Sequence, residues 1–79
     1  MTVAIPPAVW VHGRGGSWMI VDLDVGMYLS LQVDGSVWLV ELCGPDDAVI
    51  ERRQGRSRSA LHARAAAVRA ARELRTAAA

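Results

Sequence analysis

Seventy-nine residues leave room for one hydrophobic core and none for a second domain. A hydrophobic content of 52% excludes a wholly disordered chain, the formal net charge is only +1, and a lone cysteine, Cys43, excludes an intramolecular disulfide. A core this small rarely supplies more than about 3–5 kcal/mol, so surplus apolar surface without a covalent staple predicts a homo-oligomer, a dimer foremost.

The two histidines, His12 and His62, form no CxxC or HxxxH spacing, so no metal and no cofactor are expected. The opening MTVAIPPAVW has no basic n-region, and no apolar run approaches about 18 residues, so a cytoplasmic chain with no membrane contact is expected. Charge is unevenly spread. All but one of the basic residues lie at or after Arg52, and all but two of the acids lie at or before Asp47. Every basic residue is arginine, and lysine, asparagine and phenylalanine are absent, which suggests a GC-rich bacterial or phage coding source.

In chain order, a β-meander is predicted over about 7–54 and a helix over about 58–75, with 1–6 and 76–79 flexible. Ala8–His12 extends after Pro6-Pro7, where proline allows only a strand start or an edge, and turns through Gly13-Arg14-Gly15-Gly16 into Ser17-Trp18. Asp24-Val25-Gly26 fits a three-residue hairpin loop with glycine in the left-handed position. It pairs Leu23 with Met27, Val21 with Leu29 and Met19 with Leu31. Val33-Asp34-Gly35-Ser36 reads as a two-residue type I′ turn centred on Asp34-Gly35, which pairs Val33 with Ser36, Leu31 with Trp38, Leu29 with Val40 and Met27 with Leu42.

Gly44-Pro45-Asp46-Asp47 is turn chemistry leading into a short strand near 48–54. A four-residue loop turns Glu51 inward, whereas a five-residue loop puts Ala48 and Ile50 on the core face; the second is the expected register. The opposite sheet face carries Trp18, Ile20, Tyr28, Val37 and Leu39 among Asp22, Ser30, Gln32 and Glu41. That is too apolar for a fully solvated surface. Trp38 falls on the core face and reads as packing.

From Ser57 or Ser59, either able to cap a first turn, the chain becomes helical. Ala60, Ala63, Ala67, Ala70 and Leu74 recur at spacings of three and four. A second stripe of Leu61, Ala65 and Val68 is bordered by Arg64, Arg72 and Arg75, so contact with both the sheet and a partner helix is expected. The fold class is therefore α+β: an antiparallel meander of four to five strands followed by one C-terminal helix. In element order this resembles the single-stranded-DNA-binding coactivator architecture, in which a curved sheet precedes a helix that dimerises. The resemblance is carried by no motif.

Two binding chemistries are legible. Guanidinium groups neutralise phosphate and aromatic faces stack on bases, which makes Arg52, Arg53, Arg56, Arg58, Arg64 and Arg72, with Trp18, candidate nucleic-acid contacts. The near-balanced overall charge favours arginines paired with sheet carboxylates instead. Candidate protein-interface residues are Trp18, Ile20, Tyr28 and Leu39 on the sheet, and Ala63, Ala67, Ala70 and Leu74 on the helix. His12-Gly13-Arg14-Gly15-Gly16 lacks phosphate-loop spacing and reads as a hairpin loop. Asp22, Asp24, Asp46 and Asp47 suit turns and solvent faces, Cys43 carries no nucleophile signature, and His62 reads as a surface residue of the first helical turn. No catalytic constellation assembles. The leading expectation is a non-enzymatic module acting through protein–protein contact as a homo-oligomer, and the alternative is a nucleic-acid-binding accessory protein.

Overall fold

The computed structural model of the protein describes residues 9–14 and 16–78. The expected flexibility of 1–6 and of Ala79, and the strand start at Pro6-Pro7, lie outside them. Five strands, β1 (Val11–Gly13), β2 (Gly16–Asp22), β3 (Tyr28–Asp34), β4 (Val37–Cys43) and β5 (Val49–Arg56), precede one helix, α1 (Ala60–Ala78). The strands form one antiparallel sheet in the order β1-β2-β3-β4-β5, which is the α+β meander predicted. The last strand runs to Arg56 and the helix runs through Ala78, each beyond its expected end.

The β2–β3 hairpin has the expected register, Met19 opposite Leu31 and Val21 opposite Leu29. Its loop is a single 3-10 turn, Asp24–Gly26, closed by the Leu23 amide donating to the Met27 carbonyl at 2.8 Å. The β3–β4 hairpin differs by two residues. Leu31 faces Val40, Leu29 faces Leu42 and Asp34 faces Val37, so the two-residue loop is Gly35-Ser36. Gly35 has φ 60° and Ser36 has no positive φ, the pattern of a type II′ turn, which needs glycine only at its first central position. A two-residue slip leaves every side chain on its expected face.

The β4–β5 connection corrects the expected register. Gly44–Asp47 is a four-residue turn, with the Asp47 amide donating to the Gly44 carbonyl at 3.0 Å and the Ala48 amide to Asp46 Oδ1 at 3.2 Å. Cys43 pairs with Val49, which leaves the expected five residues, 44–48, between the paired ends, but Leu42 pairs with Glu51, so a bulge absorbs Ile50 and shifts the register beyond it. Ala48 and Ile50 are exposed, Ile50 by 57%, and Glu51 takes the place beside Leu42. The bulge also sets Arg52 opposite Glu41, where the two form an ion pair.

The helix covers one face of the sheet, over β3 and β4. Met19, Leu29, Leu31, Val33, Val40 and Leu42 meet Ala63, Ala67, Ala70, Ala71 and Leu74 in a single buried cluster, while Trp10, Val21, Leu23, Met27, Trp38 and Val68 pack around its margin. Each fully buried leucine or valine contributes about 1.5–3 kcal/mol. Ser59 is the cap: its Oγ accepts the His62 amide at 3.3 Å, and its carbonyl accepts the Ala63 amide at 2.9 Å. The Ser57 amide donates to the Ser36 carbonyl at 2.7 Å and ties the linker to the β3–β4 turn.

Ala63, Ala67, Ala70 and Leu74, expected at an interface with a partner, are thus occupied by the sheet of their own chain. The small-residue stripe is core. Ala60, Leu61 and Ala65 remain exposed.

Candidate functional site: the uncovered sheet face

Alternation along each strand sends every second side chain away from the helix, and, apart from the end near Cys43 where the β4–β5 turn reaches Tyr28, that second face is left uncovered by the described chain. Cross-strand pairing arranges it in rows. Val11 is level with Trp18, and Trp18 continues through Gln32 and Leu39 to Gln54. The next row runs from Ile20 through Ser30 and Glu41 to Arg52, and a third from Asp22 through Tyr28 to Cys43. Trp18, Ile20 and Val37 stand exposed by 44%, 48% and 42%, while Leu39 and Tyr28 are half-buried. Between Trp18 and Leu39 the surface sinks into a depression of about 440 Å3, floored by Ser30, Gln32 and Val37.

Polar contacts border this apolar centre. Arg52 donates from Nη2 and Nε to Glu41 Oε2 at 2.7 and 3.1 Å. At the other end the Tyr28 hydroxyl donates to Asp47 Oδ1 at 2.8 Å. That bond raises the Tyr28 phenol well above its ordinary value, and the neighbouring Cys43 thiol adds to the rise. Asp47 reaches Tyr28 from a left-handed backbone, φ 64°, a conformation aspartate adopts more readily than most residues.

The structure separates the arginines. Arg52 and Arg56 lie on the uncovered face of β5, Arg53 lies on the helix side paired to Glu51 at 2.7 Å, and Arg58 donates to His62 Nε2 at 3.2 Å. Arg64 and Arg72 lie on the helix and, like Arg56, form no ion pair with a described residue. Trp18 is on β2, with β3 and β4 between it and β5. The six arginines and the tryptophan therefore do not converge on one patch.

His62 and Cys43 are also apart. The helix starts beside the β3–β4 turn, whereas Cys43 is buried at the far end of β4, about 20 Å away along a seven-residue strand. His62 is held by its Nδ1 to Ser59 Oγ at 2.7 Å. Among the described residues no three His, Cys, Asp or Glu side chains group as metal ligands, and no helix is long and apolar enough to cross a membrane.

No family model, curated protein or solved structure matches this chain. The site therefore stands on its own geometry. Of the sheet residues expected at an interface, Trp18, Ile20, Tyr28 and Leu39 share the uncovered face. Val11, which pairs with Trp18, was not among the expected residues; its valine next to Trp10 in a short apolar segment was the only signal. The Tyr28–Asp47 bond had no sequence signal, since its partners are 19 residues apart and meet only through the β4–β5 turn.

Proposed function

We propose that the protein is a non-enzymatic interaction module that binds protein through the uncovered face of its sheet. The observation that carries this reading is the apolar surface on that face: Trp18, Val37 and Leu39 line a depression, Ile20 stands exposed in the next row, and an ion pair borders them. Aromatic anchors beside a hollow, with charge kept to the margin, are how specific protein interfaces concentrate their binding energy. An antiparallel sheet that faces water normally shows an alternating polar side, and this one departs from that rule on β2 and β4, on either side of the polar Ser30 and Gln32 of β3. The buried, unpaired Cys43 suits a reducing compartment, so the cytoplasm is the setting proposed.

Photo-crosslinking in the cells that make the protein tests this. With p-benzoylphenylalanine in place of Ile20, irradiation is expected to yield protein adducts; the same group in place of exposed Ala65, on the outer helix surface, is expected to yield none. Absence of any protein adduct at position 20 overturns the reading.

A second reading, nucleic-acid binding, draws on the helix. Arg64 and Arg72 have no ion-pair partner among the described residues, so their charge is available to phosphate. It requires retardation of DNA or RNA at low ionic strength that fades steeply with salt, and it falls if none is seen.

A further inference from the structure

We propose that the occupant of the uncovered face is a second copy of this chain, packed face to face about a two-fold axis along β3. The proposal rests on reading that face as a protein-binding surface, and names the partner. Register supplies the geometry. Trp18 on β2 and Leu39 on β4 both pair with Gln32 on β3, so they stand one strand to either side of it in the same row. A half-turn about β3 exchanges the two positions. Trp18 of each copy then lies over Leu39 of the other.

The two positions differ in relief. The Trp18 indole lies against Gly13 of β1 and leaves the residue 44% exposed, whereas Leu39 is half-buried at the rim of the depression of about 440 Å3. Trp18 and Leu39 are thus equidistant from the axis with the depression between them on it, so the two copies present the same relief on opposite sides, as an isologous dimer requires. The same operation sets Ile20 over the methylenes of Glu41, whose carboxylate is turned aside to Arg52. On the axis itself, Ser30 meets Ser30 and Gln32 meets Gln32, pairs without charge. The two copies of Asp34 also meet on the axis, at the exposed end of β3.

Area agrees. Strands of about 24 Å spaced about 4.8 Å apart over five strands present a face of roughly 480 Å2, so two copies bury on the order of 1,000 Å2 before side-chain relief is added. That reaches the size at which specific interfaces begin, about 1,000 Å2.

Sedimentation velocity of the full chain from low to high micromolar concentration is the test, with thermal melts confirming that each variant folds. A monomer–dimer equilibrium is expected, and Trp18→Ser is expected to raise its dissociation constant at least about 30-fold, the loss of one interface anchor. Leu39→Arg, which fills the hollow from the other side, is expected to do the same and serves if the Trp18 variant unfolds. In the purified dimer, p-benzoylphenylalanine in place of Ile20 is expected to join the partner copy on β4. A strict monomer at high micromolar concentration overturns the proposal, as does a dimer indifferent to both substitutions. If the chain is monomeric while position 20 captures a different protein in cells, the second copy is wrong and the binding face stands. If position 20 captures no protein at all, both readings fall.

Discussion

The indole of Trp38 lies over Gly55, its cross-strand partner, so closely that a methyl group on Gly55 would sit 2.8 Å from Cζ2. Trp38 is half-buried at the core margin, and a rigid ring there has no free end to swing aside. Gly55→Ala is therefore expected to cost about 1–3 kcal/mol, the usual effect of overpacking, despite alanine's better strand propensity. Differential scanning calorimetry reads this as a lower Tm; an unchanged Tm would show that the ring yields without strain.

Tyr28 is the sole tyrosine, so tyrosinate absorbance follows it alone. Its phenol is raised because its O–H donates to the Asp47 carboxylate, with Cys43 adding to the effect. The unfolded chain loses this proton near the ordinary value of about 10, and the native chain holds it longer. The bond's contribution is thus whole below about pH 10 and is lost as pH rises through the raised native value. Asp47→Gly, which keeps the left-handed backbone and removes the acceptor, is expected to return the alkaline titration toward the ordinary value. An identical titration in that variant would assign the rise to another cause.

Val25 sits in the left-handed region, φ 57° and ψ 34°, with 81% of its surface in solvent. A β-branched side chain gains little there and costs roughly 1–2 kcal/mol in backbone strain. Val25→Asn is expected to stabilise by about 1 kcal/mol, or about 4–8 °C in Tm for a domain of this size. A Tm at or below that of the parent chain contradicts the strain assigned to this turn.

The helix depends on one cap. Ser59→Ala removes the acceptor for the His62 amide and the partner of His62 Nδ1, and is expected to cost about 1 kcal/mol. Urea unfolding should show a lower midpoint with an unchanged slope. Ser57→Ala serves as the control, because only the Ser57 backbone amide is used.

Periodicity made much of this fold legible. Apolar alternation in β2, β3 and β4 assigned both sheet faces, and the spacing Ala63, Ala67, Ala70, Leu74 showed an apolar stripe but not that the sheet of the same chain, rather than a partner, takes it. What it missed shares one cause: a sequence pattern records which face a residue takes, not its partner across the strand. The slip from Asp34-Gly35 to Gly35-Ser36 preserves every face and leaves no trace in hydropathy. At β5 the pattern pointed the wrong way, because Ile50 reads as core and is taken up by a bulge while Glu51 stands beside Leu42. Arg52 pairing with Glu41 accompanies that choice, an interaction between residues 11 apart. At the candidate site, the alternating pattern placed Trp18, Ile20, Tyr28 and Leu39 together. The arginine run looked continuous along the chain only because sequence does not show that its members separate onto both sides of the sheet and onto the helix.

The alanine seam has a consequence for how the helix is held. Alanine has no side-chain torsions to freeze, so Ala63, Ala67, Ala70 and Ala71 dock without loss of rotamer freedom, and among the helix's fully buried residues only Leu74 gives any up. Docking a smooth rail against branched aliphatics on the sheet trades buried volume for a low ordering penalty. In a chain too short for a large core, that exchange keeps a helix in place while leaving the opposite face of the sheet free.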